Sequence, residues 1–247
     1  MKAILNFFAN LFKGRQEPKV EPKVEPKPVP PVSPVVFKSV PKKELWYPPA
    51  TRWAKPMVTR GTYKNHYPQG AVVHFTAGHW GAGAMEGGVT SGYAYLLIDE
   101  NGKVYQANSL DRWGYHAGAS SWPGLGSGVS EHLVGIEISA AGNVVKVGDK
   151  YQTWFKTLLP EEQIRKVANK DNVKEGYYQK YTDAQEKELI DLLLWLKRNN
   201  PDVFSFDLVV GHDEVAPTRK TDPGGALSCT MPEFRMKLKR LYEEAEK

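Results

Sequence analysis

The residues of this chain best equipped for chemistry are two histidines, two carboxylates and a lysine. His74 lies inside the apolar run Ala71-Val72-Val73-His74-Phe75-Thr76, and Glu137 inside Leu133-Val134-Gly135-Ile136-Glu137-Ile138. His212, Lys220 and Asp222 share the stretch Gly211-His212-Asp213-Glu214-Val215-Ala216-Pro217-Thr218-Arg219-Lys220-Thr221-Asp222-Pro223-Gly224. A lone histidine on an apolar strand is more often a hydrogen-bonded core residue than a ligand. A carboxylate in such a run is harder to dismiss, because burying an unpaired charge costs several kcal/mol. Two histidines and one carboxylate suit a catalytic zinc, which keeps a fourth position for water. A second carboxylate that stays off the metal could take the proton from that water. Lys220, on the same side of an extended segment as Asp222, could face charge developing on a substrate.

The elements that must hold these groups can be read from pattern. Residues 71–76 and 133–138 read as buried strands, and Phe206 to Val210 as a third that feeds the loop bearing His212. Pro217 and Pro223 stiffen that loop and make it non-helical. Tyr93-Ala94-Tyr95-Leu96-Leu97-Ile98 and Lys103-Val104-Tyr105-Gln106 flank Asn101-Gly102, a strong hairpin signal. Glycines 78, 81, 83, 87 and 88 make a loop after the first strand. Val144 to Phe155 is either a hairpin or an extended flap. Thr182 and Gln185 form a capping box for a helix that runs to Asn199, with Leu189, Ile190, Leu193, Leu194 and Leu196 on its apolar face. Thr230 and Glu233 cap a last helix. The expected fold is α/β: a single domain with a central mixed, mostly β-sheet flanked by helices, preceded by a proline-rich arm.

The organisation outside that core is equally distinct. Residues 1–14 place Lys2, Asn6, Asn10 and Lys13 on one narrow stripe of an otherwise apolar wheel, an amphipathic N-terminal helix. It is too short to span a bilayer, and two asparagines with no small-x-small site argue against a cleavable signal peptide. It fits docking on a membrane surface or a partner. Residues 15–40 repeat Glu-Pro-Lys-Val and then run to proline, a semi-rigid polyproline linker. Residues 41–60, with Trp46, Tyr47 and Trp53, form an arm packing on the domain, and 61–247 the catalytic domain. The 247-residue chain carries a net charge of +5 and a pI near 9.0, which suits an anionic partner without choosing one. Its single cysteine, Cys229, excludes an internal disulfide framework and a CxxC zinc site, so any metal must be held by histidine and carboxylate.

At this point the motifs resemble a known family. Val-Val-His74-Phe-Thr-Ala-Gly, Gly-Ile-Glu137-Ile, and His212 with Lys220-Thr-Asp222-Pro-Gly are similar, in order, to the type 2 N-acetylmuramoyl-L-alanine amidases. That group of zinc enzymes includes bacterial cell-wall amidases, phage endolysins and peptidoglycan-recognition proteins. The resemblance covers roughly residues 60–240. It implies hydrolysis of the amide between N-acetylmuramic acid and L-alanine, with His74, His212 and Asp222 as Zn2+ ligands. By the same resemblance Glu137 and Lys220 are the catalytic pair. Tyr93 matches a tyrosine that some phage members place near the attacking water, and His116 falls in a loop that lines the substrate groove. The phage lysozyme-like branch uses a cysteine as third ligand and lacks the glutamate, so Asp222 and Glu137 place this chain nearer the bacterial branch. Trp80, Trp113 and Trp122 are candidates for stacking on sugar faces, against the alternative of core packing.

The resemblance implies peptidoglycan as partner and action at the bacterial cell wall (periplasm or envelope), as a phage-encoded lysin or a membrane-tethered bacterial enzyme. The amphipathic pattern of residues 1–13, which has no counterpart in that family, suits contact with a membrane surface, and no nucleic-acid partner is expected. Two other classes compete. A peptidoglycan-binding module on the same fold would be expected to lack a zinc ligand. A glycosidase could use Glu137 and Asp222 as its carboxylate pair, but the histidines would then be unexplained.

Overall fold

The computed structural model describes residues 44–246, so the expectations for residues 1–14, for 15–40 and for the first residues of the arm lie outside the described residues. The chain first lays down β1 (Thr51–Arg52), β2 (Gly70–Phe75), β3 (Leu96–Ile98), β4 (Val104–Gln106) and β5 (Leu133–Ile138). Helix α1 (Ala84–Ser91) stands between β2 and β3. Five further strands follow: β6 (Asn143–Val147), β7 (Lys150–Gln152), β8 (Leu158–Leu159), β9 (Ile164–Val167) and β10 (Gly176–Gln179). Then come α2 (Asp183–Asn199), β11 (Val209–Gly211), the single turn α3 (His212–Val215) and α4 (Met231–Ala245).

The central sheet has the order β1-β4-β3-β5-β2-β11. Strands β3, β5, β2 and β11 are mutually parallel, and β4 returns antiparallel to β3 through the Asn101-Gly102 turn. Parallel strands are covered on both faces, which is why β2 and β5 read as unbroken apolar runs. Alternation divides them. Ala71, Val73, Val134 and Ile136 join the large core with α2 and α4, whereas Val72, Leu133 and Val210 pack with Ala117, Val129 and Val215 in a smaller cluster on the other face. His74 follows Val72 by two residues and Glu137 follows Leu133 by four, so both belong to the thinly covered face. That alternation places the site.

The helices follow their caps. Thr182 accepts from Gln185 N and Gln185 Oε1 accepts from Thr182 N at 3.1 and 2.9 Å, a reciprocal cap of about 1 kcal/mol. Leu189, Leu192, Leu193 and Leu196 of α2 are fully buried against the sheet. At α4 Glu233 accepts from Thr230 N at 2.9 Å. Tyr47 is buried against α2, with its ring 5.1 Å from Trp195 and its hydroxyl donating to Glu188 at 2.8 Å.

Two local expectations differ from the structure. Phe206–Leu208 is a 3-10 turn and only Val209–Gly211 pairs with β2, because Ser205 accepts from Asp207 N and closes the turn first. The loop after β11 begins with the helical turn α3: Pro217 lies beyond it and blocks only its continuation.

Residues 143–179, which include the Val144 to Phe155 stretch read from sequence as a hairpin or an extended flap, form a second antiparallel sheet of order β8-β7-β6-β10-β9. It buttresses the loop after β11. Asn172 donates to Asp213 at 2.8 Å, Thr221 donates to Asn143 at 2.7 Å, and Lys174 reaches the Pro217 carbonyl at 2.7 Å. A Cβ on Gly224 or Gly225 would come within 2.8 or 2.6 Å of the Tyr178 ring, so this close approach requires glycine.

Candidate metal centre and catalytic cleft

His74 and Glu137 are register partners in adjacent parallel strands, so their side chains leave the sheet side by side. His212 opens α3 one residue beyond Gly211, whose partner is Val73. The main chain of the loop folds back, with Asp213 N donating to Asp222 O at 2.7 Å, and this returns Asp222 to the strand end. All four side chains are buried. They line a cleft of about 330 Å³ together with Tyr93, Tyr115, His116, Arg219 and Lys220.

Three donor atoms converge there. His74 Nδ1 lies 2.9 Å from His212 Nδ1, and each lies 3.0 Å from Asp222 Oδ2. Backbone carbonyls fix which of these atoms carry protons. His212 Nε2 lies 3.0 Å from Ala117 O, an acceptor only, so Nε2 holds the proton and Nδ1 presents a lone pair. His116 Nε2 lies 2.8 Å from Leu133 O and donates to it, which leaves His116 Nδ1 as an acceptor. That atom is 3.0 Å from His74 Nε2, which therefore donates, and His74 Nδ1 is unprotonated as well. Two imidazole lone pairs and a carboxylate oxygen thus face one another across about 3 Å. Only a cation satisfies all three, and two neutral nitrogens with one carboxylate oxygen are the donor set of a zinc site with an open position.

The electrostatics agree. Burial pushes the His74 imidazolium down to about 4, so the ring is neutral at pH 7. Burial likewise holds His116 well below the ordinary value. Glu137 is pushed up to about 8, first by burial and then by the Asp222 charge, with Lys220 opposing. Its Oε2 is buried without a hydrogen-bond partner, and the residue lines the cleft. The Lys220 ammonium forms no ion pair among the described residues.

The remaining sequence candidates separate. Tyr93, 41% exposed, lines the cleft. His116 also lines it, but both its ring nitrogens are engaged. Its ring fills the space left by Gly135, where a Cβ would sit 2.6 Å from His116 Cγ. Trp113 and Trp122 do not line the cleft. Trp113 packs on Gly61, and Trp122 packs on the smaller cluster with the Arg235 guanidinium 5.8 Å from its ring. Glu214 is taken by Arg235 in a two-pronged pair at 2.7 and 2.9 Å. Arg219, not singled out from sequence, donates to Ala117 O and Ala119 O at 2.7 and 2.9 Å and so ties the His116 loop to the ligand loop. Its position beside Lys220 was the available signal.

A two-histidine, one-carboxylate triangle at the end of a mostly parallel sheet, with a buried carboxylate and an unpaired ammonium beside it, defines a mononuclear metal site equipped for proton transfer. The chain belongs to the N-acetylmuramoyl-L-alanine amidase family, whose model matches residues 64–225. It is 26% identical over 142 residues to the 1,6-anhydro-N-acetylmuramyl-L-alanine amidase AmpD of Salmonella typhimurium (strain SL1344). That match covers 58% of this chain and 54% of the relative, so the chain spans about half the length of the curated relative. In fold it is similar to a crystallised selenomethionine derivative of AmpD, with a TM-score of 0.53 and 22% identity over 80% of this chain and 98% of that one.

Proposed function

We propose that this protein hydrolyses the amide between N-acetylmuramic acid and L-alanine in peptidoglycan, with zinc held by His74, His212 and Asp222. The observation that carries the reading is the convergence of two imidazole lone pairs and one carboxylate oxygen beside the partnerless Glu137 Oε2. Family membership supports the choice of bond. The relative from Salmonella typhimurium is named for the corresponding amide of the 1,6-anhydro sugar, between 1,6-anhydro-N-acetylmuramic acid and L-alanine. Zinc, when bound, supplies Lewis acidity, which lowers the pKa of water and polarises a carbonyl.

This chain's own groups do the rest. Glu137 takes the proton of the attacking water at its carboxylate and delivers it to the departing amine of alanine. A carboxyl whose proton affinity is raised by burial suits both halves of that transfer. Lys220 faces the negative charge that grows on the carbonyl oxygen. Tyr93 forms part of the wall on which the substrate lies.

The domain reading follows: residues 61–247 carry the catalysis, 41–60 an arm on that domain, and 15–40 a spacer joining it to residues 1–14. Action at the cell wall, with residues 1–13 resting on a membrane surface, extends the same proposal. Among the described residues no helix is long and apolar enough to cross a membrane. A reporter fused to residues 1–34 should partition to membranes, and a fully soluble fusion removes the tether.

Digestion of purified peptidoglycan, with and without chelator, tests the activity. New L-alanine amino termini that vanish with chelator support it. New reducing sugars indicate a glycosidase instead, and neither product indicates a binding module.

A further inference from the structure

The second sheet ends toward the cleft in a braced turn. Thr153 N donates to Thr157 O at 2.9 Å, Lys156 N to Thr153 O at 3.0 Å, and Thr157 N to Thr153 Oγ1 at 3.0 Å. The turn presents Trp154, at 69% the most exposed large apolar side chain among the described residues. Its exposure is not that of a loose surface ring. The indole Nε1–H donates to Ala77 O at 2.6 Å, and the neighbouring Phe155 ring packs tilted against His79, 4.1 Å between centroids. Thr76 and Ala77 line the cleft, and Ala77 holds a left-handed backbone with φ of 51°. The polar edge of the indole is therefore anchored to the cleft rim, with Phe155 in an edge contact 5.5 Å away, while most of the ring stays exposed.

An exposed aromatic that is held rigid and continuous with a catalytic cleft marks a binding surface. A substrate cut at a sugar–peptide junction leaves the site in two directions, one neutral and rich in C–H faces, the other bearing peptide carboxylates. The part of the cleft lined by Arg219 and Lys220 is cationic and fits the acidic arm. The Thr76–Ala77 part is uncharged and leads to Trp154. Trp154 does not itself line the 330 Å³ cleft that must hold the scissile junction, so the ring it meets is the next one along the chain.

We propose that Trp154 is a stacking platform for the neighbouring pyranose of the glycan strand, which makes polymeric peptidoglycan, and not a single-sugar muramoyl peptide, the preferred substrate. This rests on the amidase reading above.

The test compares the wild-type chain, Trp154→Ala and Trp154→Phe on polymeric peptidoglycan and on a soluble muramoyl peptide with one sugar. Trp154→Ala should raise the apparent KM on polymer about tenfold with kcat little changed, the loss of one stacked ring. It should leave the single-sugar substrate unaffected. Trp154→Phe, which keeps an aromatic face but loses the N–H, should stay within about threefold of wild type. An equal loss on both substrates, no loss on polymer, or a Phe variant as impaired as the Ala variant overturns the platform. A wild-type chain that cleaves neither substrate overturns the amidase reading instead, so the two failures are distinguishable.

Discussion

His74 Nε2 donates its proton to His116 Nδ1 at 3.0 Å, and His116 in turn donates from Nε2 to Leu133 O at 2.8 Å. A backbone carbonyl thus sets the tautomer of a metal-facing histidine through one intervening ring. Replacing His116 by Ala should weaken zinc binding by roughly 10–100-fold, the usual effect of losing such a partner. Competition with a chromophoric chelator measures this without reference to activity. Unchanged affinity would show that the relay does not hold His74.

Glu137 stands beside His74 in the register but contributes no atom to the donor triangle. Glu137→Gln keeps the shape and removes the proton acceptor. Activity should fall by about 10²–10⁴ while bound zinc, counted by metal analysis, is retained. A variant that keeps near-normal turnover would remove Glu137 from the mechanism.

Lys220→Ala should reduce kcat by about 10²–10³ at unchanged zinc content, because the ammonium matters once the oxyanion forms. If only KM rises, the lysine binds the ground state and does not stabilise developing charge.

Asp222 supplies the anionic member of the triangle. Saturating zinc should raise the wild-type melting temperature by roughly 5–10 °C, since it binds the folded chain alone. Asp222→Ala should lose most of that increment. A full shift in the variant would assign the third ligand elsewhere.

Burial, and then the Glu186 charge, push the Cys229 thiol up to about 11. Below that value the thiolate is scarce, so iodoacetamide should alkylate Cys229 roughly a hundredfold more slowly than a free thiol at pH 8. The rate should keep rising with pH through about 11. Modification at the free-thiol rate would mean that the thiol is open to solvent.

The sequence by itself determined a good deal. Runs of apolar residues long enough only for strands marked β2 and β5, and each carried one ionisable residue that an apolar run does not tolerate without a use. Asn101-Gly102 set the β3–β4 hairpin and Thr182 with Gln185 the start of α2, because these signals act within a few residues. His74, His212 and Asp222 were legible as potential donors by residue type. Tertiary structure decided which carboxylate faces the two imidazoles, since the contacts span 138 and 148 residues and depend on strand register and on the fold-back of Asp213 onto Asp222. It also decided the tautomers, the engagement of both His116 nitrogens, and the displacement of Trp113 and Trp122 from the cleft in favour of Arg219. Residues 143–179 carried no clear periodicity, because their short strands are held by pairing with one another and by contact with the ligand loop. A local pattern records which face of an element is apolar. Which faces meet, and at what distance, is settled only when the sheet and the loop pack.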